Sequence, residues 1–145
     1  MIIHSLTAIN WKKKDILTII FCLTSLSIFQ LTVLHLGATF NCSAKLVKIL
    51  IEAGADVDAV DSDQSSPLHY ASGWNPAIVP VLLEAGAKVN VLNNLQWSPL
   101  FYAAYFDQEA SVVALMAASA DPHLGDSPAV SEEMKALIKS LFEVI

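Results

Sequence analysis

The sequence predicts an all-α repeat fold, a solenoid of helix-turn-helix units joined by short β-hairpin-like linkers. Three observations carry that expectation. Similar segments start at Thr32, Ser66 and Ser98, at intervals of 34 and 32 residues. Each opens with a hydroxyl residue and a helix start, and carries an aliphatic triplet further on. Between segments, polar and apolar residues alternate and then give way to a polar turn. A unit of this size cannot bury its own apolar face, so neighbouring units must stack.

The chain begins outside this pattern. Ile16 to Leu36 is a 21-residue stretch without charge, preceded by Lys12, Lys13 and Lys14. A run of this length can span a hydrocarbon core, with the lysines on the cytoplasmic side. No small-x-small cleavage site follows it, which disfavours a cleaved signal peptide. Three readings of residues 1–31 stand side by side. One is a membrane or signal anchor, which would put a membrane among the partners through residues 16–36. One is a helix covering the open end of the array. The third is a gene-model artefact: Phe, Leu, Ser, Ile and Cys are what pyrimidine-rich DNA encodes, and FCLTSLSIFQ reads like a translated intron end closing at Gln30.

The array is expected over residues 32–122. Its first repeat opens at Thr32 with Val33 where the other repeats have proline. Ile49, Leu50 and Ile51 belong to its second helix, which Gly54 ends in a left-handed cap. The second repeat opens with Ser66 as N-cap and Pro67 at the first helical position. Leu68, Ala71 and Ser72 follow at helical spacing. Val81, Leu82 and Leu83 form the next triplet, and Gly86 the cap. Pro80 lies inside this second helix and is expected to bend it. Ser98 and Pro99 open the third repeat, where Ala103 and Ala104 allow close helix approach. Its triplet is Ala114, Leu115 and Met116, and Ser119 stands at the cap position. The linkers run Asp56 to Asp61 and Lys88 to Asn93. Residues 123–145 read as a capping helix started by Asp126, Ser127 and Pro128. Its apolar stripe is Val130, Met134, Leu137, Ile138, Leu141 and Phe142. A repeat stack needs an end unit with one wet face.

These residues resemble the ankyrin repeat. SPLHYA at Ser66–Ala71 is similar to its helix-start signature, and GADVDAVD at Gly54–Asp61 to its linker. The resemblance implies a non-catalytic protein-binding module, an adaptor or scaffold or a fragment of one. It also implies that His69 hydrogen-bonds the hydroxyl of Ser66, with His35 and Thr32 as a copy. Besides Val33 and Pro80, the first repeat carries one extra residue between its helices and the second is one residue short there, and three further positions depart from the pattern. Phe101 stands where the third repeat should have histidine. Gln64 and Gln96 stand where the linker turns usually have glycine, so those turns are expected to be looser or differently shaped.

Charge narrows the partners. From residue 37 onward five lysines stand against thirteen acids, and the chain has no arginine. That disfavours nucleic acid, whose phosphates need Lys/Arg clusters. Cys22 and Cys42 are too few for a disulfide framework and suit a reducing compartment, so the body is expected in the cytoplasm. No catalytic, cofactor or metal residue is expected. Cys42 and His35 lack an orienting acid, and read better as a packed thiol and a structural histidine. Asp56, Asp58, Asp61 and Asp63 fail the EF-hand pattern, which needs glycine sixth and glutamate twelfth, where Asp61 and Pro67 stand.

In ankyrin-like stacks, partners dock on the linker tips and the concave side of the first helices. Carried over, the tip residues are Asp61, Ser62, Asp63 and Gln64, and Asn93, Asn94, Leu95, Gln96 and Trp97. The concave residues are Tyr70, Trp74, Tyr102, Tyr105 and Phe106. Aromatic side chains dominate interface hot spots, and acidic tips favour a protein partner with a basic segment.

Overall fold

A computed structural model describes residues 32–125 and 132–144. The segment 1–31 and the helix start at Asp126 to Pro128 lie outside the described residues, as do Val130 and the side chains of Met134 and Phe142. The described chain forms α1 (Val33–Thr39), α2 (Ala44–Glu52), α3 (Pro67–Trp74), a 3₁₀ turn (Pro76–Ile78), α4 (Val79–Glu84), α5 (Pro99–Tyr105), α6 (Glu109–Ala117) and α7 (Glu132–Val144). The first helices α1, α3 and α5 pack in sequence. The second helices α2, α4 and α6 form the layer behind them, and α7 packs on α6. No strand occurs among the described residues. The linkers are closed by turns.

Each first helix starts as its sequence requires. Thr32, Ser66 and Ser98 are N-caps in extended backbone, with prolines 67 and 99 in the first turn. Ala71, Ala103 and Ala104 are buried between helices. The apolar core runs without a break through the layers: Leu34, Leu46 and Val47, then Leu68, Ile78, Val79 and Leu82, then Leu100, Val112 and Leu115. Leu137, Ile138 and Leu141 of α7 pack against it.

Two expectations are corrected here. Pro80 does not bend a helix interior. The 3₁₀ turn absorbs the shortened connection, and α4 begins at Val79, so Pro80 falls in the first turn. A proline there removes a donor that would have had no helical partner. The linker turns, too, keep one common shape. Gln64 and Gln96 both take left-handed backbone, each at φ 60°. The caps behave as their residues suggest, with Gly54 at φ 96°, Gly86 at φ 88° and Ser119 forced to φ 65°.

The last residues of the uncharged run belong to the stack. Leu34, His35 and Leu36 of α1 are buried in it. A membrane span over residues 16–36 would have to pull α1 out of the array. Among the described residues no helix is long and apolar enough to cross a membrane.

Candidate functional site

The linker turns are built twice from one plan. At the first, Asp61 N–H donates to the Ser65 carbonyl (3.1 Å) and Gln64 N–H to the Asp61 carbonyl (3.0 Å). The Asp61 carboxylate accepts from the N–H groups of Asp63 and Ser65, both at 2.9 Å. Its other oxygen accepts from the Tyr70 hydroxyl at 2.6 Å. At the second, 32 residues on, Asn93 does the same work. Its N–H donates to the Trp97 carbonyl (3.1 Å), and its side-chain oxygen accepts from Leu95 and Trp97 N–H, both at 3.0 Å. Its amide donates to Ser65 Oγ (3.0 Å) and the Tyr102 hydroxyl (3.3 Å).

Histidines tie each first helix to the following turn. His35 Nε2 bonds the Ser65 carbonyl at 2.7 Å, and His69 Nε2 the Trp97 carbonyl at 3.0 Å. Their Nδ1 atoms meet the hydroxyls of Thr32 and Ser66, each at 2.9 Å. Burial lowers both imidazole pKa values, that of His69 to about 4, against the opposing pull of these carbonyls and of Asp61. Phe101 breaks the series. In its place Ser98 Oγ accepts from Phe101 N–H at 3.1 Å. The tips also touch each other, with Asn94 N–H donating to the Asp63 carbonyl at 2.9 Å.

This geometry sorts the expected docking residues. Asp61 and Tyr102 are corrected from surface to interior, at 2% and 8% exposure, and Asn93 joins them at 2%. All three are held by the hydrogen bonds that close the turns, so they support the surface without presenting it. Ser62, Asp63, Gln64, Asn94, Leu95 and Gln96 are exposed at the tips. Trp74 and Tyr105 are exposed at 41% and 43%, while Tyr70, Trp97 and Phe106 are half-buried. The rings form one connected tier. Trp74 lies 5.3 Å from Tyr70 and 5.0 Å from Phe106 between centroids. Phe106 lies 5.1 Å from Tyr105, which lies 5.4 Å from Trp97. Burial and the Asp61 carboxylate push the Tyr70 phenol well above its ordinary range.

The sequence reading missed the cavity between α5 and α7, of about 360 Å³, lined by Leu100, Phe101, Ala104, His123, Lys135 and Ile138 among others. It depends on how the last helix meets the array, which no local pattern reports. The Cys42 and His35 pair does not form a nucleophile and base. Cys42 is a buried core residue, and both ring nitrogens of His35 are engaged by Thr32 and Ser65.

No curated protein matches the chain. A family model described as ankyrin repeats (3 copies) matches residues 6–93 and again residues 34–126, the first match beginning ahead of α1. With three helix pairs, two matching turns and the histidine ties of the first two repeats in register, the chain belongs to the ankyrin repeat family.

Proposed function

We propose that this protein is a non-catalytic adaptor that docks a partner protein across the linker tips and the aromatic side of α3 and α5, the partner contributing a basic segment. Ankyrin repeats serve in general as protein–protein interaction modules and are in general not catalysts. The observation that supports this docking face is the connected aromatic tier: Trp74 and Tyr105 are two-fifths exposed and in ring contact with Tyr70, Phe106 and Trp97, which gathers accessible aromatic surface in one patch. Aromatic anchors of this kind supply most of the energy in protein interfaces. Asp63 at the neighbouring tip adds a negative field that speeds encounter with cationic segments.

Capture of partners on the full chain tests the reading. Trp97→Ala is expected to weaken retention about tenfold, the scale of a hot-spot residue, and Asp63→Asn to reduce the salt sensitivity of what remains. Retention that ignores both changes and is indifferent to salt would count against this face and against a basic partner. Circular dichroism of each variant confirms that the stack is intact.

A further inference from the structure

The aromatic tier contains two ring pairs that are tilted rather than crossed at right angles, Tyr70 with Trp74 at 32° and Trp97 with Tyr105 at 34°. Trp74 and Phe106 bridge them across α3 and α5. The quadrupole of an aromatic face attracts cations, and Trp74 and Tyr105 keep part of their rings exposed. The charges around the tier have one sign. α1, α3, α5 and the turns 61–65 and 93–97 hold no lysine, while Asp61 and Asp63 both act on the phenols of Tyr70 and Tyr102. The described lysines sit elsewhere: Lys45 and Lys48 on α2, Lys88 at the base of the second linker, Lys135 and Lys139 on α7. Those on α7 line the cavity beside Leu100 and Phe101. The chain has no arginine with which to cover its own rings.

We propose that the tier of Tyr70, Trp74, Tyr105 and Trp97 takes arginine side chains from an extended basic segment of the partner protein, in preference to lysine. The proposal rests on the docking face described above and names what fills it. Guanidinium is planar and weakly hydrated, so it lies flat on an indole or phenol ring and can still reach a carboxylate such as Asp63. Ammonium holds its water and acts as a point charge. Both cations feel the acidic field, so the part of the preference that the rings create is the part that disappears when a ring is removed.

Titration of the full chain with two capped Gly/Ser peptides, identical except that one carries arginines and the other lysines, separates these effects. The probe is the indole N–H signals of Trp74 and Trp97 in NMR spectra, assigned with Trp→Phe variants. The arginine peptide is expected to shift both signals and to bind about threefold to tenfold tighter than the lysine peptide. Trp74→Leu and Tyr105→Leu should each erase most of that ratio. Both side chains are partly exposed, and Tyr105→Leu provides the test should Trp74→Leu unfold. Asp63→Asn should weaken both peptides alike. Equal affinities in the wild type, or an arginine preference that survives both ring variants, overturns the proposal. Equal affinities that still fall with Asp63→Asn leave the docking of a basic partner standing. If neither peptide moves the indole signals, the arginine proposal fails, while the capture experiment decides the docking face independently.

Discussion

A backbone carbonyl can only accept a hydrogen bond and a backbone N–H can only donate one. At His69 this fixes the proton. Nε2 faces the Trp97 carbonyl and carries the hydrogen, while Nδ1 accepts from the N–H of Ser66 at 3.0 Å. The ring is neutral and fully buried. Its pKa falls from 6.5 to about 4, because burial penalises the imidazolium more than the carbonyls and Asp61 favour it. The unfolded chain therefore binds the proton more tightly, and stability is lost as pH drops from about 6.5 towards 4, on the order of 3 kcal/mol from this group. His35 is shifted in the same direction. His69→Gln is expected to be less stable at neutral pH by about 1–3 kcal/mol but to show a shallower fall in Tm on acidification. Parallel acid profiles for the two proteins would refute the assignment. Gln96 offers a second check. Left-handed backbone costs a non-glycine residue about 1–2 kcal/mol, partly offset by the larger entropy glycine loses on folding. Gln96→Gly should therefore raise stability by about 0.5–1 kcal/mol in urea melts, with the m-value unchanged.

At the scale of elements, the spacing between helices is set by what their facing positions lack. Gly73 lies in the last turn of α3 under the ring of Phe106. A Cβ at Gly73 would meet Phe106 Cδ2 at 2.8 Å and Tyr102 Cδ1 at 3.4 Å. Alanine improves helix propensity by up to about 1 kcal/mol, but displacing a packed ring costs about 1–3 kcal/mol. Gly73→Ala is expected to lose about 1 kcal/mol net and to change the fluorescence of Trp74, which stacks on Phe106. A stabilised variant with unaltered emission would show that the ring moves freely. The second helices differ in how completely they are covered. Val81 and Leu82 of α4 are buried, as are Leu115 and Met116 of α6, whereas Ile49, Leu50 and Ile51 of α2 are half-buried. The central unit has neighbours on both sides, and the triplet in α2 does not reach the same depth.

Across the whole molecule, stability passes from unit to unit. The histidine ties join each first helix to the following turn, the tip contacts join turn to turn, and between linkers the side-chain oxygens of Asp58 and Asn90 accept from Lys88 N–H (2.9 Å) and Asp121 N–H (2.8 Å). Beyond Phe101 the histidine series stops, and α7 takes over by apolar packing. In such a stack each unit depends on its nearest neighbours. Ile138→Asp should cost about 2 kcal/mol by placing a charge against the core. Hydrogen exchange should then show α6 losing protection before α1 and α2. Uniform loss along the chain would mean that the array unfolds as one cooperative block.

The sequence by itself determined the period, the helix starts at Thr32, Ser66 and Ser98, the glycine caps and the acidic balance. Each is local chemistry repeated at a fixed interval, and a capping serine or a left-handed glycine does the same thing wherever it stands. Part of the aromatic group was legible for the same reason: Tyr70 and Trp74 recur 32 residues on as Tyr102 and Phe106, whereas Tyr105 and Trp97 stand where the second repeat has Gly73 and Ser65. Only the tertiary structure decided which of them face outward. Asp61 and Tyr102 read as surface residues, yet closing the turn requires their polar atoms inside, bonded to Ser65, Tyr70 and Asn93. Pro80 reads as a helix interior, yet the 3₁₀ turn before it moves the helix start. Burial and helix boundaries depend on what packs from neighbouring units, and that information lies in no single stretch of the chain.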